Sequence, residues 1–409
     1  MNGGARGVSI FIHMKIHVAI VAVGTLALMG SAAAQWTVEI VSPTGTGGAE
    51  FYAGASGVRV GGLYADFWPT HAFIWDPTTG TGIDLNPPGS VRSNAYACDG
   101  EEQGGFVCDA EGNPQAAIWH GSAESWVNLA PSDSDESFVW GACGGVQVGS
   151  VMMFSGPTVA SLWRGTPESW VNLNPAGSSY SFIYGLSRDM QVGRADIAGE
   201  THAGFWRGTP ESWTDIHPKW ALGSEAWDVD GDSIVGTTFD SNYVEHATLW
   251  SVSSHGAINL HPSWLKAPGS HARGGCERWQ VGFTFDGIAD HACIWSGTPD
   301  SFVDLHRLLP DPDCGHSVAW RIWREGDTIC VAGWRMLNCW GRWDAVIWRH
   351  PAIDPCASDF NNDGFVNGDD FDSFAQAFEF GEGIADLNMD GSRTTDDLDI
   401  FVDHFELGC

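Results

Sequence analysis

A short motif recurs along the chain, and within it apolar and polar residues alternate with a period of two. The clearest copy is residues 160–175, ASLWRGTPESWVNLNP, in which a tryptophan follows small or apolar residues and precedes a Gly-Thr-Pro turn. Seven tryptophans occupy this position, at intervals of 43 to 45 residues apart from a last interval of 53: Trp75, Trp119, Trp163, Trp206, Trp250, Trp295 and Trp348. A near-constant period of this length indicates a repeat architecture.

Each repeat contains four stretches with the pattern of short strands. Val, Ile, Trp and Phe alternate with polar residues, and Gly, Pro, Ser and Asp separate the stretches, whereas helical spacing is absent. Four strands in about 40–45 residues is the size of a propeller blade, and such a sheet must stack on its neighbours to bury both faces. The pattern predicts a mainly β chain with a seven-bladed β-propeller over residues 35–355.

Two further positions recur upstream of each tryptophan. A Val-Gly-like pair is assigned at Val60-Gly61, Val107-Cys108, Val148-Gly149, Val192-Gly193, Val235-Gly236, Val281-Gly282 and Val331-Ala332. An aromatic column lies before it at Tyr52, Tyr96, Trp140, Tyr184, Trp227 and Trp320, with Arg273 in the sixth copy. We expect the tryptophans to form the core between blades, because aromatic side chains bury large areas. The same burial is favoured for the aromatic column. The alternative is that the strand carrying this column is the innermost of each blade. In that case the aromatic rings line the central channel and stack on a sugar or another ligand.

The seventh repeat lacks a strand of its own. After Trp348 the chain passes into His350-Pro351 without a Val-Asn-Leu stretch, and Trp36–Val41 is a spare strand of that kind near the beginning. We therefore predict that this stretch pairs into the last repeat and closes the ring.

The repeats resemble the extracellular HAF-type repeat, which is named for a His-Ala-Phe run before the tryptophan. The run is complete at residues 71–75, HAFIW, and looser at His202-Ala203, His246-Ala247 and His291-Ala292. The resemblance covers roughly residues 45–350 and implies a structural repeat with no common activity.

Histidines also recur, four residues before the tryptophan and, at His217, His261 and His306, eleven after it. Equivalent positions on different blades cannot converge on one ion, so we interpret these histidines as structural partners of the next turn. The sequence contains no Gly-x-Ser-x-Gly elbow, His-Glu-x-x-His motif or phosphate loop. A carboxylate pair brought together by folding stays open, because it leaves no trace in sequence.

The composition of the chain predicts its cellular compartment and excludes one class of partner. Residues 1–34 have a basic start, an apolar run and small residues before Gln35, as in a signal peptide, which predicts a secreted or cell-surface protein. The net charge of −32 excludes nucleic acid as a partner, and no later stretch is long enough for a membrane span. The ten cysteines fit an oxidising compartment and are interpreted as structural, with Cys356 and Cys409 as a candidate pair.

Residues 356–409 form a distinct acidic segment with two calcium-type loops, DFNNDGFVNGDD from Asp359 and DLNMDGSRTTDD from Asp386. Oxygen donors at loop positions 1, 3, 5, 9 and 12 with glycine at 6 predict two bound Ca²⁺ ions. The predicted ligands are Asp359, Asn361, Asp363, the Phe365 carbonyl, Asn367, Asp370, Asp386, Asn388, Asp390, the Ser392 carbonyl, Thr394 and Asp397. Phe371, Phe374 and Phe378, and likewise Leu398, Phe401 and Phe405, have the spacing of one helix face.

This duplicated loop and helix resembles a type I dockerin module, which implies docking onto a cohesin-like or other extracellular protein. Loop positions 10 and 11, Gly368-Asp369 and Thr395-Asp396, depart from the family's usual Ser/Thr pairing. Together these features predict a secreted, non-catalytic binding or scaffold protein whose propeller is an interaction surface, with carbohydrate as a candidate ligand. The alternatives are a dockerin-bearing propeller enzyme that acts on polysaccharide and a purely structural surface protein.

Overall fold

The computed structural model describes residues 36–42, 46–55, 57–64, 70–310, 315–337, 342–351, 358, 360, 366–380, 385, 387 and 392–407. The proposed signal segment, residues 1–34, lies outside these residues. Twenty-eight strands and two α-helices occur in the described chain, which is therefore mainly β. Within the same residues, no helix has both the length and the apolar character that crossing a membrane requires.

Each sequence repeat folds as four antiparallel strands in chain order. Repeats 1 to 3 contain β2 (Gly48–Ala55), β3 (Val58–Tyr64), β4 (Thr70–Asp76), β5 (Thr81–Asp84), β6 (Ser93–Cys98), β7 (Gln103–Cys108), β8 (Pro114–Trp119), β9 (Val127–Asn128), β10 (Ser134–Cys143), β11 (Val146–Met153), β12 (Thr158–Trp163) and β13 (Val171–Asn172). Repeats 4 to 6 contain β14 (Ser181–Ser187), β15 (Met190–Ile197), β16 (Glu200–Trp206), β17 (Thr214–Asp215), β18 (Gly223–Asp230), β19 (Ser233–Phe239), β20 (Glu245–Ser251), β21 (Ala257–Asn259), β22 (Gly269–Cys276), β23 (Trp279–Phe285), β24 (Asp290–Trp295) and β25 (Val303–Asp304).

Repeat 7 is completed by the beginning of the chain. It contains β26 (Gly315–Glu325), β27 (Thr328–Leu337) and β28 (Trp343–Pro351), and β1 (Thr37–Val41) pairs antiparallel with β28 as its fourth strand. The predicted closure by the N-terminal strand is thereby confirmed. A single parallel pair, Gly48 with Trp343, joins repeats 7 and 1 into one eight-stranded sheet, whereas repeats 2 to 6 form five separate four-stranded sheets.

The first strands of the repeats surround a common axis. Each contacts the first strand of the next repeat, from β2 and β6 through to β22 and β26, and β26 contacts β2. The predicted Gly-Thr-Pro turn after the tryptophan is a 3₁₀ turn in several repeats, for example Pro167–Ser169.

The hydrophobic core lies between consecutive sheets, as predicted for the tryptophan column. Trp206 of repeat 4 packs with Val148, Leu162 and Leu173 of repeat 3, and it is fully buried. Burial of an indole of about 200 Å² stabilises the fold by roughly 5 kcal/mol.

A buried serine joins most pairs of neighbouring sheets. Ser181 Oγ accepts the backbone N–H of Ala160 from repeat 3 at 2.9 Å and donates to Asn174 Oδ1 at 2.6 Å. The same acceptor contact recurs at Ser93, Ser137, Ser224, Ser270 and Ser317. Ala49 occupies the corresponding position in repeat 1, so the junction between repeats 7 and 1 is built differently.

The acidic segment contains the two predicted helices, α1 (Gly368–Phe380) and α2 (Thr395–Leu407). Their apolar faces meet at Phe374 and Phe401, whose rings stack with centroids 4.2 Å apart. Phe378, Leu398 and Phe405 pack against this pair as predicted, whereas Phe371, which was assigned to the same face of α1, is 43% exposed.

Candidate functional site

A β-bulge interrupts the first strand of every repeat at the aromatic column. In β14, Ile183 pairs with Gly193 and Gly185 pairs with Val192, so Tyr184 has no partner in β15. The same register shift leaves out Tyr52, Tyr96, Trp140, Trp227, Arg273 and Trp320. Because a bulge re-aims its unpaired residue, these seven side chains are turned out of the sheets towards the axis.

A glycine opposite each bulge makes this geometry possible. A Cβ atom on Gly149 would lie 1.9 Å from the carbonyl oxygen of Phe138, and a Cβ on Gly61 would lie 1.8 Å from that of Glu50. The register corrects two of the pairs assigned from sequence. The residues equivalent to Val148-Gly149 are Gly104-Gly105 and Ala332-Gly333, not Val107-Cys108 and Val331-Ala332.

The seven bulge residues form a collar around the axis, and each comes from a different repeat. Six of the seven neighbouring pairs are in contact, four through two rings and two through Arg273 over a ring, with centroids 4.0 Å apart for Tyr184 and Trp227 and 5.9 Å apart for Tyr52 and Trp320. Arg273 completes the circle, with its guanidinium carbon 3.7 Å from the Trp227 ring centroid. Tyr184 is buried and the other members are half-buried. The column thus surrounds the axis with its rings packed against those of the neighbouring repeats, and stacking on a sugar or another ligand stays a prediction.

A pocket of about 150 Å³ lies beside the collar, where the first strands continue past the bulges. Small residues follow the bulge in five repeats, at Ala53, Ala97, Gly141, Gly185 and Gly274. The exceptions are Asp228 in repeat 5 and Arg321 in repeat 7. Their side chains form an ion pair across repeat 6, with Arg321 Nη1 2.6 Å from Asp228 Oδ1. The pocket is therefore narrow, central and polar at one side.

The ion pair is fixed by the backbone around it. Arg321 Nη2 donates to the carbonyl oxygen of Tyr184 at 3.2 Å, and Asp228 Oδ2 accepts the N–H of Gly275 at 3.1 Å. Cys98 also lines the pocket, and burial raises the pKa of its thiol to about 11. Since the thiolate is the nucleophilic form, this cysteine is not an activated nucleophile at neutral pH.

On the opposite side of the collar, a carboxyl group is buried beneath Tyr52. Glu50 is 4% exposed and accepts a hydrogen bond from the Tyr52 hydroxyl. Burial raises the pKa of the Glu50 carboxyl to about 7, although hydrogen bonds from Tyr52 and Tyr64 act in the other direction. This group therefore changes its charge near neutral pH.

The serine contacts between sheets resemble catalytic dyads in repeats 4 to 6, where histidine replaces asparagine as the partner. His217 Nδ1 lies 2.8 Å from Ser224 Oγ, and His306 Nδ1 lies 2.8 Å from Ser317 Oγ. Both serines are fully buried and also accept a backbone N–H. They are consequently structural, since a substrate cannot reach a fully buried hydroxyl.

The predicted calcium loops are described in part. Asp370 and Asp397, at loop position 12, are both fully buried, and each accepts the backbone N–H of the position-9 residue, Asn367 at 2.9 Å and Thr394 at 2.8 Å. This duplicated placement of a buried carboxylate fits a divalent cation, because a buried charge requires compensation. Ser392 is exposed. The remaining predicted ligands, Asp359, Asn361, Asp363, Phe365, Asp386, Asn388 and Asp390, lie outside the described residues, as does the Cys356–Cys409 pair.

The described cysteines do not support a disulfide framework. Cys98, Cys108, Cys143, Cys276, Cys293 and Cys330 are all free thiols. The interpretation of the cysteines as structural disulfides is therefore not supported among the residues that the structure describes.

No protein-family model matches the chain, and no curated protein matches its sequence. Among solved structures, the chain is similar to the β-propeller domain of the Trilobed protease from Pyrococcus furiosus. The TM-score is 0.50 at 10% identity, over 75% of this chain and 96% of that one. The fold is a β-propeller. Puromycin hydrolase is similar to the same extent, with TM-score 0.50 and 12% identity over 73% of this chain and 51% of that one. A prolyl endopeptidase matches with TM-score 0.49 and 10% identity, over 76% and 51%.

These comparisons correct the functional interpretation made from sequence. The similar propellers are parts of the Trilobed protease and of puromycin hydrolase, which contradicts both the non-catalytic binding or scaffold protein and the prediction that the chain is no enzyme. Identities of 10 to 12% show the fold alone, and this chain spans about half the length of puromycin hydrolase.

Proposed function

We propose that this chain acts in peptide hydrolysis, and that the axial pocket of the propeller receives the end of a peptide substrate. The observation that carries the proposal is the pocket itself, which lies beside the collar and carries the Asp228–Arg321 pair at its wall. Its volume of about 150 Å³ is smaller than that of most ligand pockets, which are about 300–1,000 Å³. A space of this size suits one terminal residue of a chain better than a whole ligand.

The ion pair offers both kinds of group that a peptide end requires. Arg321 can donate to a carboxylate or carbonyl oxygen, and Asp228 can accept from an amino group. The half-buried rings of Tyr52, Tyr96 and Trp140 add apolar and π surface next to it. Because Asp228 and Arg321 come from non-adjacent repeats, the site exists only when the ring is closed.

The test uses the full chain with trialanine and with its N-acetylated, C-amidated form. Collar tryptophan fluorescence reports binding, and a fluorogenic peptide panel reports hydrolysis. We expect free trialanine to bind more tightly than the blocked form, and Arg321→Met to weaken binding at least tenfold while Lys219→Met, an exposed cation elsewhere, has no effect. Equal binding by Arg321→Met and the unchanged protein, or no binding and no hydrolysis at millimolar peptide, would contradict the proposal.

We also propose that the seven repeats are seven blades of this propeller and that they are HAF-type. The single pair between Gly48 and Trp343 supports dividing the eight-stranded sheet into two blades. A circular permutant that is opened between β1 and β2, next to Gly48, should still fold into a ring if the Gly48–Trp343 pair is only a contact between blades.

For residues 356–409 we propose a dockerin-like module that binds two Ca²⁺ ions and attaches the secreted propeller to a cohesin-like or other extracellular protein. The buried position-12 carboxylates support this assignment. Calorimetry on the full chain should give a stoichiometry of two that falls to one in Asp370→Asn and in Asp397→Asn. Asp372→Asn, on the exposed side of α1, serves as the control. A stoichiometry unchanged by both loop variants would exclude these ligands.

A further inference from the structure

Two histidines that are separated in sequence meet at the outer part of repeat 4. His202 lies near the start of β16 and His217 follows β17, and their rings stack with centroids 4.1 Å apart and planes 12° apart. Glu200, at the first position of β16, completes a cluster in which one candidate donor atom from each residue lies within 4.8 Å of the others. Among the described residues, this is the one His, Cys, Asp and Glu cluster with such a spacing.

The environment of His202 leaves its Nε2 nitrogen available. His202 Nδ1 lies 2.7 Å from Asp215 Oδ2, which fixes the proton on Nδ1 and directs Nε2 towards Glu200 Oε2, 3.8 Å away. His202 Nε2 is buried and has no hydrogen-bond partner within the described chain. His217 Nδ1 contacts Ser224 Oγ. A carboxylate that accepts the far N–H, as Asp215 does for His202, is a usual support for a histidine that binds a metal through Nε2.

We propose that Glu200, His202 and His217 form a binding site for a divalent transition-metal ion of the Zn²⁺ class, with one coordination position open. Imidazole nitrogen and carboxylate oxygen bind Zn²⁺ at about 2.0–2.2 Å, so tetrahedral ligands must lie about 3.3 Å apart. The present spacing requires movements of no more than about 1.5 Å by that measure, to which the Glu200 side chain, 66% exposed, can contribute. Because an imidazole lone pair lies in the plane of its ring, one of the two stacked rings must also rotate when both bind the ion. Two imidazoles and one carboxylate favour Zn²⁺ over Ca²⁺, which prefers six to eight oxygen ligands.

Repeat 6 provides an internal comparison. His291 and His306 stack in the same way, with centroids 4.2 Å apart. Ala289, however, occupies the position of Glu200, and the Asp286 carboxylate, 4.0 Å from His291 Nε2, already accepts the N–H groups of Ile288 and Ala289. The stacked histidine pair is thus common to repeats 4 and 6, and the added glutamate distinguishes repeat 4.

This site is separate from the axial pocket. Along the sheet of repeat 4, His202 is level with Ala195 and Ser181, at the start of β14. Leu186, which lines the pocket, is level with Gln191 and Trp206 at the other end of the strands. The metal site therefore lies at the opposite edge of the propeller, and its failure would leave the peptide proposal untouched.

The sister repeats supply substitutions that the fold already tolerates. Asn174 of repeat 3 occupies the position of His217 and keeps the serine contact, so His217→Asn should fold. Glu200→Ala copies repeat 6, and His306→Asn is the matched control in that repeat.

The experiment is calorimetric titration of the full chain with Zn²⁺ in excess Ca²⁺, with Co²⁺ absorption as a second readout of nitrogen ligation. We expect one Zn²⁺ per chain, and we expect Glu200→Ala and His217→Asn each to weaken binding by more than 100-fold. Asp215 supports both histidines, because its Oδ2 contacts His202 Nδ1 and its Oδ1 accepts the backbone N–H of His217 at 2.8 Å, so Asp215→Asn should weaken binding about 10–100-fold. His306→Asn should leave it unchanged.

Two results would overturn the proposal. One is Zn²⁺ affinity that is the same in the unchanged protein and in the Glu200→Ala and His217→Asn variants. The other is an equal loss in His306→Asn, which would assign the binding to histidine pairs in general. Circular dichroism of each variant excludes misfolding as the cause of a loss.

Discussion

Arg59 in the first repeat and Glu325 in the last are joined by two parallel hydrogen bonds, Nη1 to Oε1 at 2.7 Å and Nη2 to Oε2 at 2.9 Å. Trp323 Nε1 also donates to Glu325, at 2.9 Å. The position of Arg59 is glutamine in repeats 2, 3, 4 and 6, where the side-chain oxygen accepts a glycine N–H of the turn after the repeat's own tryptophan. A contact within one repeat has thus become a contact between the first and last repeats, at the junction that lacks the buried serine.

Removing the arginine should weaken this closure. Arg59→Met leaves Glu325 without its counter-charge, and we expect the free energy of unfolding to fall by about 3 kcal/mol, at the lower end of the range for a broken buried pair because Glu325 is 27% exposed. Urea unfolding measures the change. Arg207→Met removes a pair whose side chains are 46% and 78% exposed, and it should cost less than about 1 kcal/mol. Equal losses in the two variants would show that the closure pair has no special weight.

The serine contacts between sheets should each contribute measurably. Ser181→Ala removes the acceptor of the Ala160 N–H in a fully buried position, so an amide is left unsatisfied and stability should fall by about 1–3 kcal/mol. Ser132, which is exposed, gives the control: its replacement by alanine should change the unfolding free energy by less than about 0.5 kcal/mol. If both variants unfold at the same urea concentration, the contact contributes nothing.

The glycines opposite the bulges should not tolerate a side chain. Gly149→Ala would place Cβ 1.9 Å from the Phe138 oxygen, so the bulge or its neighbouring strand must move, and we expect a loss of more than about 3 kcal/mol or failure to fold. Gly82→Ala is the comparison, because the nearest atom to its Cβ would be 3.5 Å away. The measurement is the thermal unfolding temperature of the two variants, compared under the same conditions. A mild effect at Gly149 would mean that the bulge does not need glycine.

Glu50 predicts a pH dependence of stability. Its folded-state pKa of about 7 is above the ordinary value of 4.5 for a glutamate, so the folded protein binds more protons between these values and is progressively destabilised as pH rises from about 4.5 to 7. Glu50→Gln keeps the hydrogen-bond acceptor and has no charge to bury. We therefore expect the stability difference between Glu50→Gln and the unchanged protein to grow over this range, by about 3 kcal/mol in total. A difference that is constant with pH would show that Glu50 does not titrate there.

Much of the ring follows from local sequence. The regular spacing of Trp75 to Trp348 and the period-two alternation around each tryptophan were enough to predict four strands per repeat, because strand faces are determined by which residues are apolar. The shortage of one strand in the last repeat similarly predicted that β1 would pair with β28. The helices after the acidic loops followed from their phenylalanine spacing.

The pairing register of the strands was harder to predict from the sequence. A bulge adds one residue to one strand, and the alternation on either side of Tyr184 or Trp227 reads almost the same with or without it. For that reason two of the Val-Gly pairs were misplaced. The repeated glycine was the available signal. At these positions a Cβ atom would lie about 2 Å or less from a backbone oxygen, so only glycine fits without a shift of the backbone.

The sequence by itself determined the repeat, the strands, the buried tryptophans and the two helices, because these depend on residues close together in the chain. Only the tertiary structure decided the sites. The pocket joins Asp228 to Arg321 across a repeat, the closure joins Arg59 to Glu325, and the metal cluster joins His202 to His217. Each of these contacts is set by ring geometry or by strand pairing, and neither leaves a pattern in the order of the residues.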